Sequence, residues 1–452
     1  MSRSRRSRDR NRNRAPLAAE ATLQEWGSRG SALAEVENRQ VMIDRAIPGE
    51  RVLAMIDRRK RPWRGVTEQV SVASPHRVQP PCPYFLQGCG GCQWQHVHYG
   101  MQRESKLEMA RLALERAGVT TGVDGIQRME DPWRYRRTAA LAIGWEAGFH
   151  PAGRRGIIEI HDCLIAHPFI GELADRLNRI LRSGGLPNYH GKVWLDCSVV
   201  GSQAAPGLQI LIQGIEGLTL ESHPELPRVA AVLATLPHVR SVAFRSRSGE
   251  AMPLVGDLMG RIEIDGRWMN LPVGAFCQTN LQMVRLVLER MRQLIQARQL
   301  DHALAPRLRK VRHVADVYGG IGTFGLALAP FVDLVTLIEL DEHAVQAARL
   351  TAAEWRQLNV RCLTAHAERA LADLQDVDLA IVDPPRSGLA PPVIDTLAAS
   401  TSRTICYVSC SVPSLARDLA GLAERGFGID SVELFDFYPQ TYHVEALAVL
   451  SR

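Results

Sequence analysis

The chain has 452 residues, 46% of them hydrophobic and 23% charged. That length fits about three domains of roughly 150 residues each, and the composition excludes a wholly disordered chain, a collagen or a coiled coil. No apolar run approaches the ~20 residues of a membrane helix, and no apolar segment follows the basic N-terminus as it would in a secretory signal. A cytoplasmic monomer without membrane contact is the expectation.

Lys and Arg number 54 against 48 Asp and Glu, a net charge of +6. The first 14 residues, with seven Arg and one Asp, carry all of that excess. The remainder is electrically balanced, so affinity for an acidic partner must come from local patches. Residues 1–20 are expected to be a disordered basic tail, either without a specific role or adding weak, salt-sensitive attraction to RNA.

Residues 21–78 read as a small all-β module. Apolar and polar residues alternate over 32–36, 40–43 and 51–56, and Gly30, Pro48 and Gly49 interrupt them. Arg58, Arg59, Lys60, Arg61 and Arg64 surround Trp63. Such a run suits a phosphate backbone with one stacked base, and equally a solvated hairpin tip. Residues 79–265 read as a mixed α+β region that begins with a cysteine-rich stretch. A helix is predicted over 101–117, with Leu107, Ala110, Leu114 and Ala117 on one face and Gly118 as its stop.

From about residue 285 helices alternate with buried strands. Helices are predicted at 284–299, 324–329 and 342–355. Strands are predicted at 313–318, 334–340, 379–383, 404–409 and 446–450. This is the pattern of a doubly wound parallel sheet, which binds ligands at the carboxyl ends of its strands.

The chemistry gathers at those ends. The turn Gly319-Gly320-Ile321-Gly322-Thr323-Phe324-Gly325 follows a strand and lets a ligand approach the backbone closely. Glu339 ends the next strand, where a carboxylate often grips ribose hydroxyls. A dinucleotide and S-adenosylmethionine fit this much equally, and a tight turn without a ligand remains open. Asp383-Pro384-Pro385-Arg386 stiffens a later loop. Amine methyltransferases carry an aromatic where Arg386 stands, which points away from amine chemistry. Cys410 ends the strand at 404–409 as a thiol that could meet substrate, or as a small buried residue. Cys406 lies inside that strand and reads as core. Glu445 enters the last apolar strand, a costly place for a carboxylate unless it is paired or used.

In this order, DVYGGIGTFG, IEL, DPPRSG, YVSCSVPSLARDL and FYPQTYHVEALAVL resemble the RNA uracil-C5 methyltransferases. FCQTN upstream matches that family's F-x-Q-x-N element. CPYFLQGCGGCQWQHVHYGMQRESK is similar to its iron–sulfur segment, and the module at 21–78, with AIPGERV, is similar to the TRAM RNA-binding domain. The resemblance covers nearly the whole chain after residue 20. It implies an OB-like β-barrel, a central α+β domain over 79–265 and a Rossmann-like methyltransferase domain over 266–452. Gln278, Tyr318, Glu339 and Asp383 fall on S-adenosylmethionine positions, Cys410 on the nucleophile and Glu445 on the base. Cys82, Cys89, Cys92 and Cys163 fall on ligands of a [4Fe–4S] cluster; by spacing alone four thiolates suit zinc equally. The sequence departs from the family at Gly319, usually Cys, at Ser411, often Asn, and at Arg137, usually Asn.

What the resemblance implies is methylation of a uridine C5 in RNA, with 23S ribosomal RNA ahead of transfer RNA. The rivals are a non-catalytic RNA-binding protein on the same scaffold and a nicotinamide dehydrogenase. The first does not account for retained Cys410 and Glu445. The second leaves the cysteine cluster and Cys410 unexplained.

Overall fold

The computed structural model describes residues 15–190, 192–202, 204–214, 219–246, 249–304, 310–400 and 402–452. Most of the expected basic tail lies outside these residues. The chain divides into two units: described residues up to Met109 together with Tyr438–Tyr442, and Ala110–Phe437 together with His443–Arg452. No described helix is long and apolar enough to cross a membrane.

The first unit holds a five-stranded sheet of β1 (Leu17–Thr22), β2 (Ala32–Val36), β3 (Arg39–Asp44), β4 (Arg51–Asp57) and β5 (Trp63–Val72), in the order β1-β4-β5-β3-β2. Its outer strands meet. Just past β1, the Gln24 amide donates to the Leu33 carbonyl and the Leu33 amide to the Glu25 carbonyl, both at 2.8 Å. The sheet therefore curls on itself. Alternation sends Ala32, Ala34, Val41, Ile43, Val52, Ala54 and Ile56 into one core, and the alanines keep its interior narrow.

Two expectations are corrected here. β1 starts at Leu17, inside the expected tail, because Leu17, Ala19 and Ala21 share the core-facing side of a strand paired with β4. Trp63 cannot stack on a base: it is 6% exposed and belongs to this core. Its basic neighbours are largely tied locally. Arg59 forks onto Asp57 at 2.9 and 3.0 Å, and Arg64 donates to Ser31 and Asp44.

The second unit holds two sheets. After β6 (Gly125–Gln127) come β7 (Thr138–Ile143), β8 (Ala147–Phe149), β9 (Ile158–Glu159), β10 (Val193–Gly201), β11 (Pro206–Gly214), β12 (Val239–Arg245), β13 (Met252–Val255), β14 (Met259–Ile264) and β15 (Arg267–Pro272). β7 to β15 make a nine-stranded sheet ordered β13-β12-β11-β10-β7-β8-β9, with β14 joined to β10 and β15.

The other sheet consists of β16 (His313–Val317), β17 (Leu334–Glu339), β18 (Val360–Thr364), β19 (Leu379–Val382), β20 (Thr404–Ser409), β21 (Gly428–Phe435) and β22 (Glu445–Ser451), with β6 at one edge. Its order is β18-β17-β16-β19-β20-β22-β21-β6. β16 to β20 are parallel, and all of them but the edge strand β18 are buried on both faces, hence their largely apolar runs. The sheet is not wholly parallel: β22 runs antiparallel to both β20 and β21. β18 and β21 escape the sequence reading because their burial is only partial. The helix expected after the glycine turn is a single turn, Gly325–Leu328. Residues 125–127 join this sheet rather than the central region, paired with β21.

Candidate active site

The site lies at the carboxyl edge of the eight-stranded sheet. β16 ends at Val317, and the chain then turns sharply: Tyr318, Gly320 and Gly322 all have positive φ, at 61, 55 and 87°. At Gly322 a side chain would also sit 2.7 Å from Leu326. At Gly320 there is open space where a Cβ would be, so a ligand can lie against the backbone.

Two carboxylates shape this turn. Glu339, at the end of β17, accepts the Gly320 amide at 3.0 Å on one oxygen and the Leu340 and Asp341 amides at 2.6 and 2.9 Å on the other. One oxygen keeps acceptor capacity for a ligand hydroxyl. Asp316, inside β16, is fully buried; one oxygen accepts the Gly325 amide at 2.8 Å and the other has no partner. Burial, with a smaller contribution from Glu339, pushes its pKa to about 7. The sequence reading passed over Asp316, although an acid inside the apolar run His313-Val314-Ala315-Asp316-Val317 was a signal.

Asp383 follows β19 and accepts a hydrogen bond from the Gln278 side-chain amide at 3.1 Å. The Gln278 carbonyl oxygen is buried and has no partner. Burial and then the charge of Asp316 raise the Asp383 pKa to about 7 against the opposing Gln278 bond. Burial likewise raises the Tyr318 phenol.

Cys410 and Glu445 are brought together by the antiparallel pairing. The β20–β22 ladder runs from Thr404 opposite Ser451 to Ser409 opposite Ala446. Cys410 directly follows this last pair on one strand and Glu445 directly precedes it on the other, so both lie at the same end of the ladder. Glu445 is 1% exposed and Cys410 is half-buried. Burial first, then Glu445 and Asp383, push the Cys410 thiol up to about 11, while Arg386 opposes them by charge and a hydrogen bond. Burial and Asp383 hold Glu445 well above the carboxylate range, again against Arg386. The loop bearing Arg386 is pinned to the helix Val412–Ala423. Ser414 donates to the Arg386 carbonyl at 2.8 Å, and its hydroxyl lies 2.9 Å from that of Ser411. Cys406 is fully buried in β20.

The cysteine segment is a separate matter. Cys82, Cys89 and Cys92 belong to the first unit and Cys163 to the second. Among the described residues no three His, Cys, Asp or Glu side chains are gathered as metal ligands. His96, close to these cysteines in sequence, is buried and stacked on Phe85.

The profile of the family tRNA (Uracil-5-)-methyltransferase matches residues 270–452. A Streptomyces avermitilis protein named "uncharacterized RNA methyltransferase" is 30% identical over 443 residues, covering 93% of this chain and 95% of its own length. A Halalkalibacterium halodurans protein of the same description is 28% identical over 460 residues, covering 95% and 96%. In fold, the chain is similar to the Pyrococcus abyssi tRNA (uracil-54, C5)-methyltransferase solved with S-adenosyl-L-homocysteine. The TM-score is 0.71 at 22% identity, over 96% of this chain and 100% of the other. With a relative matched across nearly its whole length and the family profile lying over the sheet that bears Cys410 and Glu445, the chain belongs to the RNA uracil-C5 methyltransferase family and is an S-adenosylmethionine-dependent enzyme.

Proposed function

We propose that the methyl reaches C5 of a uridine through a transient covalent bond between the Cys410 sulfur and C6, with Glu445 as the base. The carrying observation is the antiparallel pairing of β20 and β22, whose last pair, Ser409 opposite Ala446, brings the next residue Cys410 and the preceding residue Glu445, a thiol and a buried carboxyl, to one end of the ladder. Gln278, Tyr318, Glu339 and Asp383 would hold S-adenosylmethionine. The open space at Gly320 and the unpartnered Gln278 oxygen fit a ligand carrying hydroxyl and amino groups.

When bound, S-adenosylmethionine supplies an electrophilic methyl on a sulfonium. The protein supplies the rest. Uracil C5 is a weak nucleophile; addition of the Cys410 thiolate to C6 makes the ring an enolate and C5 nucleophilic. Arg386 favours the thiolate. After C5 is methylated, Glu445 takes the C5 proton, the C5–C6 double bond re-forms and the sulfur leaves. A charge on Cys410 and a charge on Glu445 disfavour each other. Bonding of the sulfur to carbon removes one of them, so Glu445 ionises more readily when its proton transfer falls due.

The substrate proposed is ribosomal RNA, 23S in particular, in a cytoplasmic monomer. The curled N-terminal sheet beside a cysteine-rich segment supports it, by analogy. Transfer RNA is the second reading, favoured by the name of the matched profile. Mapping 5-methyluridine in both RNAs from a gene-deletion strain separates them. Loss of a 23S site with transfer RNA intact is expected. Loss confined to transfer RNA selects the second reading, and no loss in either overturns the function.

We also propose that Cys82, Cys89, Cys92 and Cys163 ligate a [4Fe–4S] cluster. Four thiols suit it chemically, and Gly88, in the left-handed region at φ 97°, turns the chain between the first two. No step of methyl transfer uses the cluster.

A further inference from the structure

At one end of the nine-stranded sheet the second unit displays aromatic rings that the active site does not use. Trp145, in the turn between β7 and β8, is 74% exposed. Within β7 to β10 and their connections it is the single described large hydrophobic side chain so exposed. His190, itself exposed, meets its ring edge-on with centroids 6.3 Å apart. Trp194, at the start of β10, lies edge-on to His150, with centroids 6.2 Å apart. The β7–β10 register, Val193 opposite Ile143 and Trp194 opposite Ala142, brings the two ring pairs to the same end of the sheet.

The His150 ring is held by two hydrogen bonds. Its Nδ1 lies 2.7 Å from the Gly156 carbonyl, and its Nε2 accepts the Trp194 indole N–H at 3.3 Å. Positive charge comes from the loop that His150 anchors. Arg154 and Arg155 on that loop are exposed, and neither joins an ion pair among the described residues. Exposed rings close in sequence to guanidinium groups outside any described ion pair, with no other large hydrophobic side chain so exposed within β7 to β10, do not match the apolar centre of a protein interface. They match single-stranded nucleic acid, which offers base faces to rings and phosphates to Arg.

We infer that Trp145, His190, Trp194 and His150 form a stacking platform for unpaired bases of the RNA, away from the reacting uridine, with Arg154 and Arg155 on its phosphates. This rests on the RNA-modifying function proposed above and adds where a flanking single strand is held.

The test uses the full chain, a fluorescein-labelled 12-nucleotide oligouridylate and a labelled 12-base-pair RNA duplex, followed by anisotropy. Trp145→Ala should weaken oligouridylate binding about 5- to 150-fold, the range of a lost base–ring stack, and leave duplex binding within about twofold. Trp145→Phe should keep most of the affinity, which separates stacking from misfolding. Arg154→Ala with Arg155→Ala should lower the slope of log affinity against log salt by about 1.4. Unchanged oligouridylate affinity in Trp145→Ala, equal losses on the duplex, or no binding by the unsubstituted protein each overturn the platform. Methylation of total RNA from the deletion strain is measured alongside. An unsubstituted protein that binds through Trp145 without methylating leaves the platform standing and overturns the proposed reaction.

Discussion

Cys410 and Glu445 lie at one end of the β20–β22 ladder, the first just after Ser409 and the second just before Ala446, the ladder's last pair. Only reversal of β22 permits this. In a wholly parallel sheet the start of one strand lies at the edge opposite the end of its neighbour, and the two side chains would be a strand length apart. The reversal thus puts the proposed nucleophile and the proposed base together.

The proposed roles predict different failures. Cys410→Ala removes the nucleophile, so methyl transfer and any denaturant-resistant protein–RNA adduct disappear together. Glu445→Gln leaves addition and methylation in place but stalls elimination. It should lose turnover by about 10²–10⁴-fold while an adduct accumulates on denaturing gels. A normally active Cys410→Ala, or an adduct mapping to the core residue Cys406, contradicts the assignment.

How far this was legible in the sequence follows from what each signal depends on. The parallel strands were legible because burial on both faces leaves unbroken apolar runs, as in Thr404–Ser409. The direction of β22 was not, because an apolar run has no sense of direction and pairing is decided by the connection. Asp316, Asp383 and Gln278 sit far apart in sequence, and their coupling exists only once β16 and β19 are paired. Trp63 was misread for a simpler reason. Its basic neighbours dominate the local composition, yet its place in β5 points it inward.

Buried acids give the pH dependence a definite sign. Asp316 and Asp383 have folded pKa values of about 7, above the ordinary carboxylate range. A carboxyl with a raised folded pKa contributes stability that is full below its unfolded pKa and is lost as pH rises through the folded one. Between about pH 4 and pH 7 these two should therefore lower stability as pH rises. Asp383→Asn should flatten that decline, as read by urea midpoints across the window. An identical decline in the variant contradicts the burial argument. Turnover should move the other way. With the Cys410 thiol near 11, single-turnover adduct formation should rise steadily from pH 6 to 9.

In the first unit, the Glu50 side chain ties together two segments of chain, the turn at 47–50 and the stretch at 74–77. Its side chain is fully buried, accepts the Ile47 and Ser74 amides at 2.9 and 3.1 Å, and takes both Arg77 bonds at 2.6 Å. Burial raises its pKa, but these bonds together outweigh burial and hold it below the ordinary value. Glu50→Ala strands a partly buried guanidinium and two amides. It should destabilise this unit by about 3–5 kcal/mol, read as early loss of amide protection in β1 to β5 by hydrogen exchange. Protection as in the parent protein would show that the pair contributes little.

The cysteine segment supplies the last prediction. Four thiolates on [4Fe–4S] give about four irons per chain and a brown protein when purified without oxygen. Four thiolates on zinc give one metal and no colour. Cys89→Ser should lower the iron content of the first case sharply, because an alkoxide is a poor substitute for a thiolate. The effect on methylation should be indirect, since no electron moves in the proposed reaction. With saturating RNA the residual turnover of Cys89→Ser should exceed that of Cys410→Ala by orders of magnitude. A colourless parent protein with one zinc contradicts the iron assignment. A Cys89→Ser variant as inactive as Cys410→Ala, yet folded by circular dichroism, would mean that the segment takes part in the reaction itself.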